Sequence, residues 1–221
     1  MFRKRYTSEE FARQREQMVR RDIERRRIHD RGVLEAMRSV PREEFVPAKY
    51  QHKAYDDSPV PIGMGQTISQ PYIVALMTEK LGLSNEDEVL EIGTGCGYQT
   101  AILAKIARRV FTIEKHNQLS EAAQSALGRL GIDNVEFYIG DGSCGWPRHR
   151  QFSRIIVTAA VPQIPEPLAE QLEEGGVIVA PVGAGDFQEL IVGRKHACSI
   201  QQMSVCGVRF VNLRGEYGFP E

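Results

Sequence analysis

Short apolar runs alternate with amphipathic stretches from residue 88 onward. Apolar runs rich in β-branched residues predict strands at 88–93, 110–114, 134–140, 154–160 and 176–183. Stretches with helical spacing fall between them at 98–107, 119–130 and 165–172. This alternation predicts βαβ units, and hence an α/β fold with a doubly wound, mostly parallel sheet that helices cover on both faces. Three later runs predict strands that pair antiparallel at one edge: 190–195, 199–205 and 208–213.

The first 70 residues follow a different pattern. Apolar positions recur at loosely helical spacing among charged residues as far as Val40. Residues 55–70 hold two prolines and two glycines, and they predict an irregular loop. A helix should then begin at Pro71 and stop at Gly82, with a polar side chain before Pro71 as its cap. We expect a single domain over 1–221, made of a helical N-terminal extension (1–54), the loop (55–70) and an α/β core with C-terminal strands (71–221).

Charge is balanced overall but not along the chain. The formal net charge is -1, so no field of the whole protein would attract nucleic acid. Residues 1–31 carry eleven Lys or Arg and six Asp or Glu, a local net charge of +5. The interspersed acids favour a solvated amphipathic helix, and an arm that binds polyanions is the alternative.

The cysteines and the start of the chain indicate the compartment. Four cysteines are present, at Cys96, Cys144, Cys198 and Cys206, and none forms a C-x-x-C pair, so we expect no metal site. The first residues, MFRKRYTSEEF, lack the apolar run of a signal peptide. No stretch approaches the roughly 20 apolar residues that a membrane span needs. We therefore expect a cytoplasmic protein with free thiols.

A glycine loop joins the first predicted core strand to the next helix. Gly93, Gly95 and Gly97 have the spacing G-x-G-x-G. Glycine suits a turn with positive φ and allows a ligand to approach the backbone closely. The free N–H groups at the start of the following helix favour a polar or anionic ligand. A dinucleotide fingerprint would read G-x-G-x-x-G, so this spacing disfavours a nicotinamide-dependent oxidoreductase.

Carboxylates follow the next two predicted strands. Glu114 ends the second strand about 20 residues after the loop, where a carboxylate can accept hydrogen bonds from ribose hydroxyls. Asp141 ends the third strand and could accept a hydrogen bond from an adenine amino group. A helix cap for Glu114 and an Asp-Gly turn for Asp141 are the structural alternatives. Because ligands bind at the carboxyl ends of strands in such sheets, the three features together predict a site for an adenosine-type cofactor.

The motifs together resemble one enzyme family. The segments VLEIGTGCGYQTAILA, VFTIEK, GDG, IIVTAA, GGVIVAPVG and, most specifically, PIGMGQTISQPYIVALM are similar to those of the protein-L-isoaspartate O-methyltransferases. The similarity runs from about Val33 to Arg214. It implies a Rossmann-like methyltransferase fold that uses S-adenosyl-L-methionine and releases S-adenosyl-L-homocysteine. Such enzymes methylate the free α-carboxylate of L-isoaspartyl residues in damaged proteins and peptides, and the ester then collapses to a succinimide that partly reopens to aspartate.

The resemblance also implies roles for individual residues. Glu91 and the three loop glycines would line the methionine end of the cofactor, Glu114 would hold the ribose, and Asp141 with Gly142 would flank the adenine. Thr67, Ile68 and Ser69 would close over the reacting groups. Ser69 would be the active-site residue that binds the substrate carboxylate, and Val182 with Gly183 would contact the substrate. These residues are summarised as cofactor-binding Thr67, Ile68, Glu91, Gly93, Gly95, Gly97, Glu114, Asp141 and Gly142, and substrate-binding Ser69, Val182 and Gly183.

The chemistry of a carboxylate acceptor limits what the site must supply. An α-carboxylate has a pKa of about 3.5 and is already ionised at neutral pH, so no strong general base is required. Catalysis should rest on alignment and desolvation, with Ser69 as a hydrogen-bond donor. From spacing alone, Ser69 is the N-cap of the helix at Pro71, a role compatible with the other.

Other functions remain open from the sequence. The protein could be a different S-adenosylmethionine-dependent methyltransferase that acts on RNA or a small molecule, although no Asn-Pro-Pro-Tyr motif for amino methylation is present. It could also be a non-catalytic module that binds the cofactor. We expect isoaspartyl proteins and peptides as partners, and neither a membrane nor nucleic acid. We expect a monomer.

Overall fold

The computed structural model describes residues 6–185, 187–197 and 199–220. Its N-terminal part contains three helices, α1 (Ser8–Met18), α2 (Arg31–Ser39) and α3 (Pro71–Leu81), and two short strands, β1 (Val60–Gly63) and β2 (Gln66–Ile68). The core strands are β3 (Glu88–Ile92), β4 (Arg109–Glu114), β5 (Val135–Ile139), β6 (Phe152–Val157), β7 (Leu172–Ala184), β8 (Phe187–His196) and β9 (Ser199–Val208). The core helices are α4 (Tyr98–Ala104), α5 (Asn117–Arg129) and α6 (Glu166–Gln171).

Seven strands form one sheet in the order β5-β4-β3-β6-β7-β8-β9. Pairing is parallel from β5 through β7 and antiparallel for β8 and β9, which confirms the predicted α/β sheet with its antiparallel edge. The chain runs outward from β3 to β5 and then returns to place β6 on the other side of β3. The carboxyl ends of β3, β4 and β6 therefore meet at a switch point, where open α/β sheets bind ligands.

Hydrophobic cores cover both faces of the sheet. Successive residues of a strand alternate between them: Val89 belongs to one core and Leu90 to the other. The first core includes the N-terminal extension, whose Met18, Val19 and Ile23 are almost fully buried. No helix within the described ranges is long and apolar enough to cross a membrane.

The N-terminal extension is helical, as predicted, but it is not one helix. A π-helical segment over Val19–Ile23 follows α1, and Arg27 has a positive φ of 68° before α2 begins. Arg20, Arg21 and Arg38 form ion pairs with neighbouring acids, as a solvated helix would. Residues 1–5 of the basic arm lie outside the described residues, as does Cys198.

The prediction of an irregular loop at 55–70 is wrong in part. Strands β1 and β2 form an antiparallel hairpin there, with Val60 opposite Ile68 and Pro61 opposite Thr67. Proline is tolerated in it because both strands of a two-stranded ribbon are edges. The turn has positive φ at three successive residues, including 51° at Met64.

The predicted strand at 208–213 is also wrong. Strand β9 ends at Val208, and within residues 209–213 the pairing is limited to an isolated bridge between Asn212 and Ala160. The backbone of Ala160 donates to Val211 O at 2.8 Å and accepts from Leu213 N at 2.8 Å. The apolar alternation thus reflects an extended segment that crosses the carboxyl edge of the sheet instead of joining it.

Candidate active site

The glycine loop is closely packed at two of its glycines. Gly93 and Gly97 have φ values of 98° and 89°. A Cβ on Gly93 would lie 2.4 Å from Thr158 Oγ1, and a Cβ on Gly97 would lie 2.7 Å from Leu127 Cδ1. Both the backbone conformation and the available space therefore require glycine, as the sequence predicted.

Glu114 connects the end of β4 to this loop. Its side chain is nearly buried, and Oε2 accepts a 2.8 Å hydrogen bond from the Gly95 N–H. Oε1 accepts a 2.9 Å bond from the N–H of His116, which precedes α5. His116 is the N-cap of α5 and its own side chain makes no capping bond, so Glu114 serves this helix start as well as the loop, although it is nearly buried and not a surface cap. The carboxylate faces the loop and contributes to the wall of the cleft.

Asp141 is held by the C-terminal segment. Oδ1 accepts from the Ser143 N–H and hydroxyl, at 2.8 and 2.7 Å, and Oδ2 accepts from the Glu216 N–H at 2.7 Å. Burial alone would raise the pKa of this carboxyl, but these hydrogen bonds outweigh it and hold the pKa below its ordinary value. Asp141 also precedes a tight helical turn over Gly142–Cys144, so the Asp-Gly turn is present as well.

Three adjoining cavities form one cleft at this edge of the sheet. Thr67 and Thr158 line all three. The cofactor-side cavity is lined by Gly93, Gly95, Glu114, His116, Gly142 and 211–214, among others. The outer cavity is lined by Ser69, Gln70, Gln188 and 207–211, among others. Between them, a third cavity is lined by Ile68, Ser69, Cys96, Tyr98 and Phe210, among others. The structure thus brings the predicted residues Thr67, Ile68, Ser69, Gly93, Gly95, Glu114 and Gly142 together in one cleft.

Ser69 does not cap helix α3, contrary to the prediction from spacing. The N-cap is Gln70, and it makes no capping side-chain hydrogen bond. Asp57, which is distant in sequence, caps the helix instead. Its Oδ1 accepts from the Tyr72 N–H at 3.2 Å, and its Oδ2 accepts from Gln70 Nε2 at 2.6 Å. The Ser69 hydroxyl has no hydrogen-bond partner among the described residues, and Ser69 lines the cleft.

Glu91 lies behind the glycine loop. It is fully buried, and Oε2 accepts from the hydroxyls of Thr100 and Thr112 at 2.6 and 2.7 Å. Burial raises the pKa of Glu91 to about 8, although these two hydrogen bonds oppose the rise. Glu91, Gly97 and Asp141 are not among the residues lining the cleft, so their contact with a cofactor stays a prediction.

Val182 and Gly183 lie apart from the walls of the cleft. The Gly183 N–H donates to Val161 O at 2.9 Å, and a Cβ on Gly183 would lie 2.1 Å from Phe187 O. The pair therefore lies near the end of the pairing between β7 and β8, with Val182 opposite Glu189 and Gly183 opposite Gln188, and its substrate contact stays a prediction.

Several residues of the cleft were not expected from the sequence. Thr158 follows β6, and its hydroxyl contacts Gly93 O at 2.6 Å and Ile92 O at 2.9 Å. The segment 207–211 lines the cavity that contains Ser69. Its alternating apolar residues suggested a strand. Its position after the last paired strand could have indicated a place in the cleft, because a chain can return there over the carboxyl edge of the sheet.

Comparisons with known proteins agree with this geometry. The profile of the family described as protein-L-isoaspartate(D-aspartate) O-methyltransferase (PCMT) matches residues 13–218. The chain belongs to this family. A protein-L-isoaspartate O-methyltransferase from Dictyoglomus turgidum is 52% identical over 194 residues, 88% of each chain. Protein-L-isoaspartate O-methyltransferase 1 from Syntrophobacter fumaroxidans is 48% identical over 209 residues, which cover 95% of this chain and 98% of that one.

Comparison with solved structures also matches the chain to proteins described as members of this family. A protein-L-isoaspartate O-methyltransferase has a TM-score of 0.81 and 30% identity, over 92% of this chain and 67% of that one. A Plasmodium falciparum protein, crystallised with S-adenosyl-L-homocysteine and described as a possible member of the family, has a TM-score of 0.79 and 25% identity. That match covers 90% of this chain and 98% of the other.

Proposed function

We propose that this family member transfers the methyl group of S-adenosyl-L-methionine to the free α-carboxylate of L-isoaspartyl residues in damaged proteins and peptides. The observation that carries the proposal is the single cleft that joins the glycine loop and Glu114 to the free hydroxyl of Ser69. Family membership over residues 13–218 supports the same reaction. The enzyme is an S-adenosylmethionine-dependent O-methyltransferase.

The residues of the cofactor-side cavity fit this cofactor. Glycines leave the backbone open on one side, and Glu114 faces the cavity as an acceptor for ribose hydroxyls. Gly142 lies where adenine would contact bare backbone, and Asp141 precedes it just outside the lining of this cavity. When bound, the cofactor supplies an electrophilic methyl group on a sulfonium. These residues hold and orient it.

Ser69 is the residue we propose for orienting the substrate. Because its hydroxyl is free of internal hydrogen bonds to described residues, it can donate to the α-carboxylate without first breaking a bond of the fold. Thr67 and Phe210 line the cleft beside it. The opposite charges of carboxylate and sulfonium cancel as the methyl group transfers, so a dry cleft favours the transition state.

The proposal has a direct test. The protein is incubated with methyl-labelled S-adenosyl-L-methionine and two peptides that differ only in aspartate or L-isoaspartate. Base-labile label in the isoaspartyl peptide alone is the expected result. Label in RNA or a small molecule, with neither peptide labelled, would contradict the proposal in favour of another methyltransferase activity.

We further propose a monomeric, cytoplasmic enzyme that does not bind nucleic acid. The net charge of -1 and the ion pairs of Arg20, Arg21 and Arg38 support this proposal. Light scattering should give a mass near the 24.9 kDa of the chain. Retention of RNA on a filter by the protein at physiological salt would count against it.

A further inference from the structure

Arg42 is a buried cation without an anionic partner. Its side chain is fully buried in the tight turn Arg42–Phe45, between α2 and β1. Among the described residues no carboxylate forms an ion pair with it, and Nη1 has no hydrogen-bond partner. Burying a charge in this way is costly, so the contacts that the guanidinium makes must offset a large desolvation penalty.

The guanidinium joins two main-chain segments. Nε donates to Ala54 O at 2.8 Å, and Nη2 donates to Ser69 O at 2.9 Å. Ala54 is fully buried and ends the helical turns of the N-terminal extension. Arg42 thus attaches the active-site residue to a fixed part of the core.

The same side chain reaches the helix that follows the glycine loop. The guanidinium carbon lies 4.8 Å from the ring centroid of Tyr98, the first residue of α4. Tyr98 is almost fully buried and lines the same cavity as Ser69. One planar group therefore contacts both sides of the cleft, the strand end that carries Ser69 and the helix start behind the cofactor loop.

Asp57 restrains the chain on the other side of Ser69. Its two oxygens accept from Gln70 Nε2 and from the Tyr72 N–H. Ser69 lies between these attachments, and its side chain stays free. Main chain that is fixed on both sides is what an orienting hydroxyl requires.

We propose that Arg42 is a positioning residue for methyl transfer, which fixes the main chain of Ser69 against Ala54 and Tyr98 so that the Ser69 hydroxyl is aligned with the cofactor. This inference rests on the proposed role of Ser69. A lysine would keep the charge, but its single ammonium lacks the planar fork that spans two carbonyls and stacks on a ring.

A double-mutant cycle tests the proposal through turnover. The values of kcat are measured for wild type, Arg42→Lys, Ser69→Ala and the double variant, with saturating S-adenosyl-L-methionine and an isoaspartyl peptide. Arg42→Lys should lower kcat at least about tenfold in the wild-type background and less than about threefold when Ser69 is alanine, because coupled residues are not additive. The KM for S-adenosyl-L-methionine should change less than about twofold, since Arg42 does not line the cofactor-side cavity.

Hydrogen exchange tests it independently of any substrate. With S-adenosyl-L-homocysteine bound, amides of residues 66–70 should exchange at least about tenfold faster in Arg42→Lys, while those of α5 keep their protection. Arg38→Lys is the matched control, since Arg38 pairs with Glu16 and Glu24 away from the cleft. If lysine prevents folding, Arg42→Gln, which can still donate to one carbonyl, is measured in the same way.

The outcomes separate this inference from the proposed function. Equal losses of kcat in both backgrounds, or unchanged exchange at 66–70, would overturn the role of Arg42. Wild-type protein that leaves the isoaspartyl peptide unlabelled contradicts the proposed function, and the exchange measurement still decides whether Arg42 fixes Ser69.

Discussion

At the scale of single residues, Glu114 in the cleft wall and the neighbouring Asp141 are already hydrogen-bonded within the fold, whereas the hydroxyls of Thr67 and Ser69, which line the cleft, have no partner among the described residues. Glu114 accepts two backbone N–H groups and Asp141 accepts three hydrogen bonds, so both are oriented before any ligand arrives. Ser69 makes no side-chain hydrogen bond to a described residue. This contrast between bonded carboxylates and an unbonded hydroxyl matches the proposed roles, in which prearranged acceptors bind the cofactor and a free donor binds the substrate.

Glu114→Gln should weaken cofactor binding. An amide replaces one of the two acceptor oxygens with a donor, which then faces either the Gly95 N–H or the His116 N–H. Hydrogen bonds to charged groups contribute about 1.5–3 kcal/mol, so the Kd for S-adenosyl-L-homocysteine should rise roughly tenfold to a hundredfold. Calorimetry measures it, with Glu136→Gln on the neighbouring strand β5 as the control. An unchanged Kd would remove Glu114 from the cofactor site.

Glu91→Gln should change how stability depends on pH. The Glu91 pKa is about 8 in the folded protein, against an ordinary value of 4.5. Between these values the folded state holds a proton that the unfolded state has lost, so the free energy of unfolding falls as pH rises through this window. Glutamine cannot ionise, and the variant should lack this fall, which is on the order of a few kcal/mol.

Urea unfolding at about pH 5, 6, 7 and 8 measures the Glu91 effect. The exposed residue Glu35 provides the control variant Glu35→Gln, which should follow wild type. Parallel curves for wild type and Glu91→Gln would show that Glu91 is ionised in the folded protein over this range.

At the scale of elements, hydrophobic periodicity predicted the features that depend only on residues close together in the sequence. The strands from β3 to β7 and the glycine loop followed from apolar runs and glycine spacing, because burial on both faces of a parallel sheet leaves a strong local pattern. The cap of α3 could not be found this way, since Asp57, which accepts the Tyr72 N–H, lies 15 residues before it in the sequence. The segment 208–213 has a strand's alternation, yet only its position over the sheet edge decides its structure.

Site residues, too, could be predicted where a local sequence pattern marks them and not where only tertiary contacts do. Gly93 and Glu114 could be chosen from their positions at strand ends, and they line the cleft. Val182 and Gly183 came from the family resemblance alone, and they lie at the paired end of β7, outside the cleft walls. Arg42 gave no signal in the sequence, because a buried cation looks like any other charged residue until its neighbours are known.

Gly93→Ala should disturb both the loop and cofactor binding. A non-glycine residue at positive φ costs about 1–2 kcal/mol, and here the new Cβ would also lie 2.4 Å from Thr158 Oγ1. Gly131→Ala is the matched control, because Gly131 has a φ of 65° but open space around its Cβ position. The Tm should fall further for Gly93→Ala than for Gly131→Ala, and only Gly93→Ala should weaken S-adenosyl-L-homocysteine binding. Equal effects would mean that backbone strain alone matters.

At the scale of the whole molecule, the N-terminal extension is part of the main core. Its buried residues share a cluster with α3, α4 and α5. It also supplies Arg42 and Ala54, which hold Ser69, and Asp57 follows directly to cap α3. The extension thus supports the active site from behind and contributes to stability.

Ile23→Ala should therefore destabilise the entire fold. Ile23 is fully buried in the π-helical segment, and such truncations cost about 2–5 kcal/mol. Chemical denaturation should show one cooperative transition at a lower midpoint, whereas Phe187→Ala, at a side chain that is 89% exposed, should change little. A small loss confined to the extension would show that it unfolds separately.

The bonds of the C-terminal segment to Asp141 and Ser143 bear on how the enzyme is made. Glu216, which holds Asp141, follows it by 75 residues. Ribosomes add roughly 5–20 residues per second, so Glu216 is synthesised about 4–15 s after Asp141. The strands from β3 to β5 can start to pair during that interval, but the part of the cavity wall that residues 211–214 supply is added only afterwards. The parallel strands of this protein are therefore synthesised before the segment that closes the proposed cofactor site.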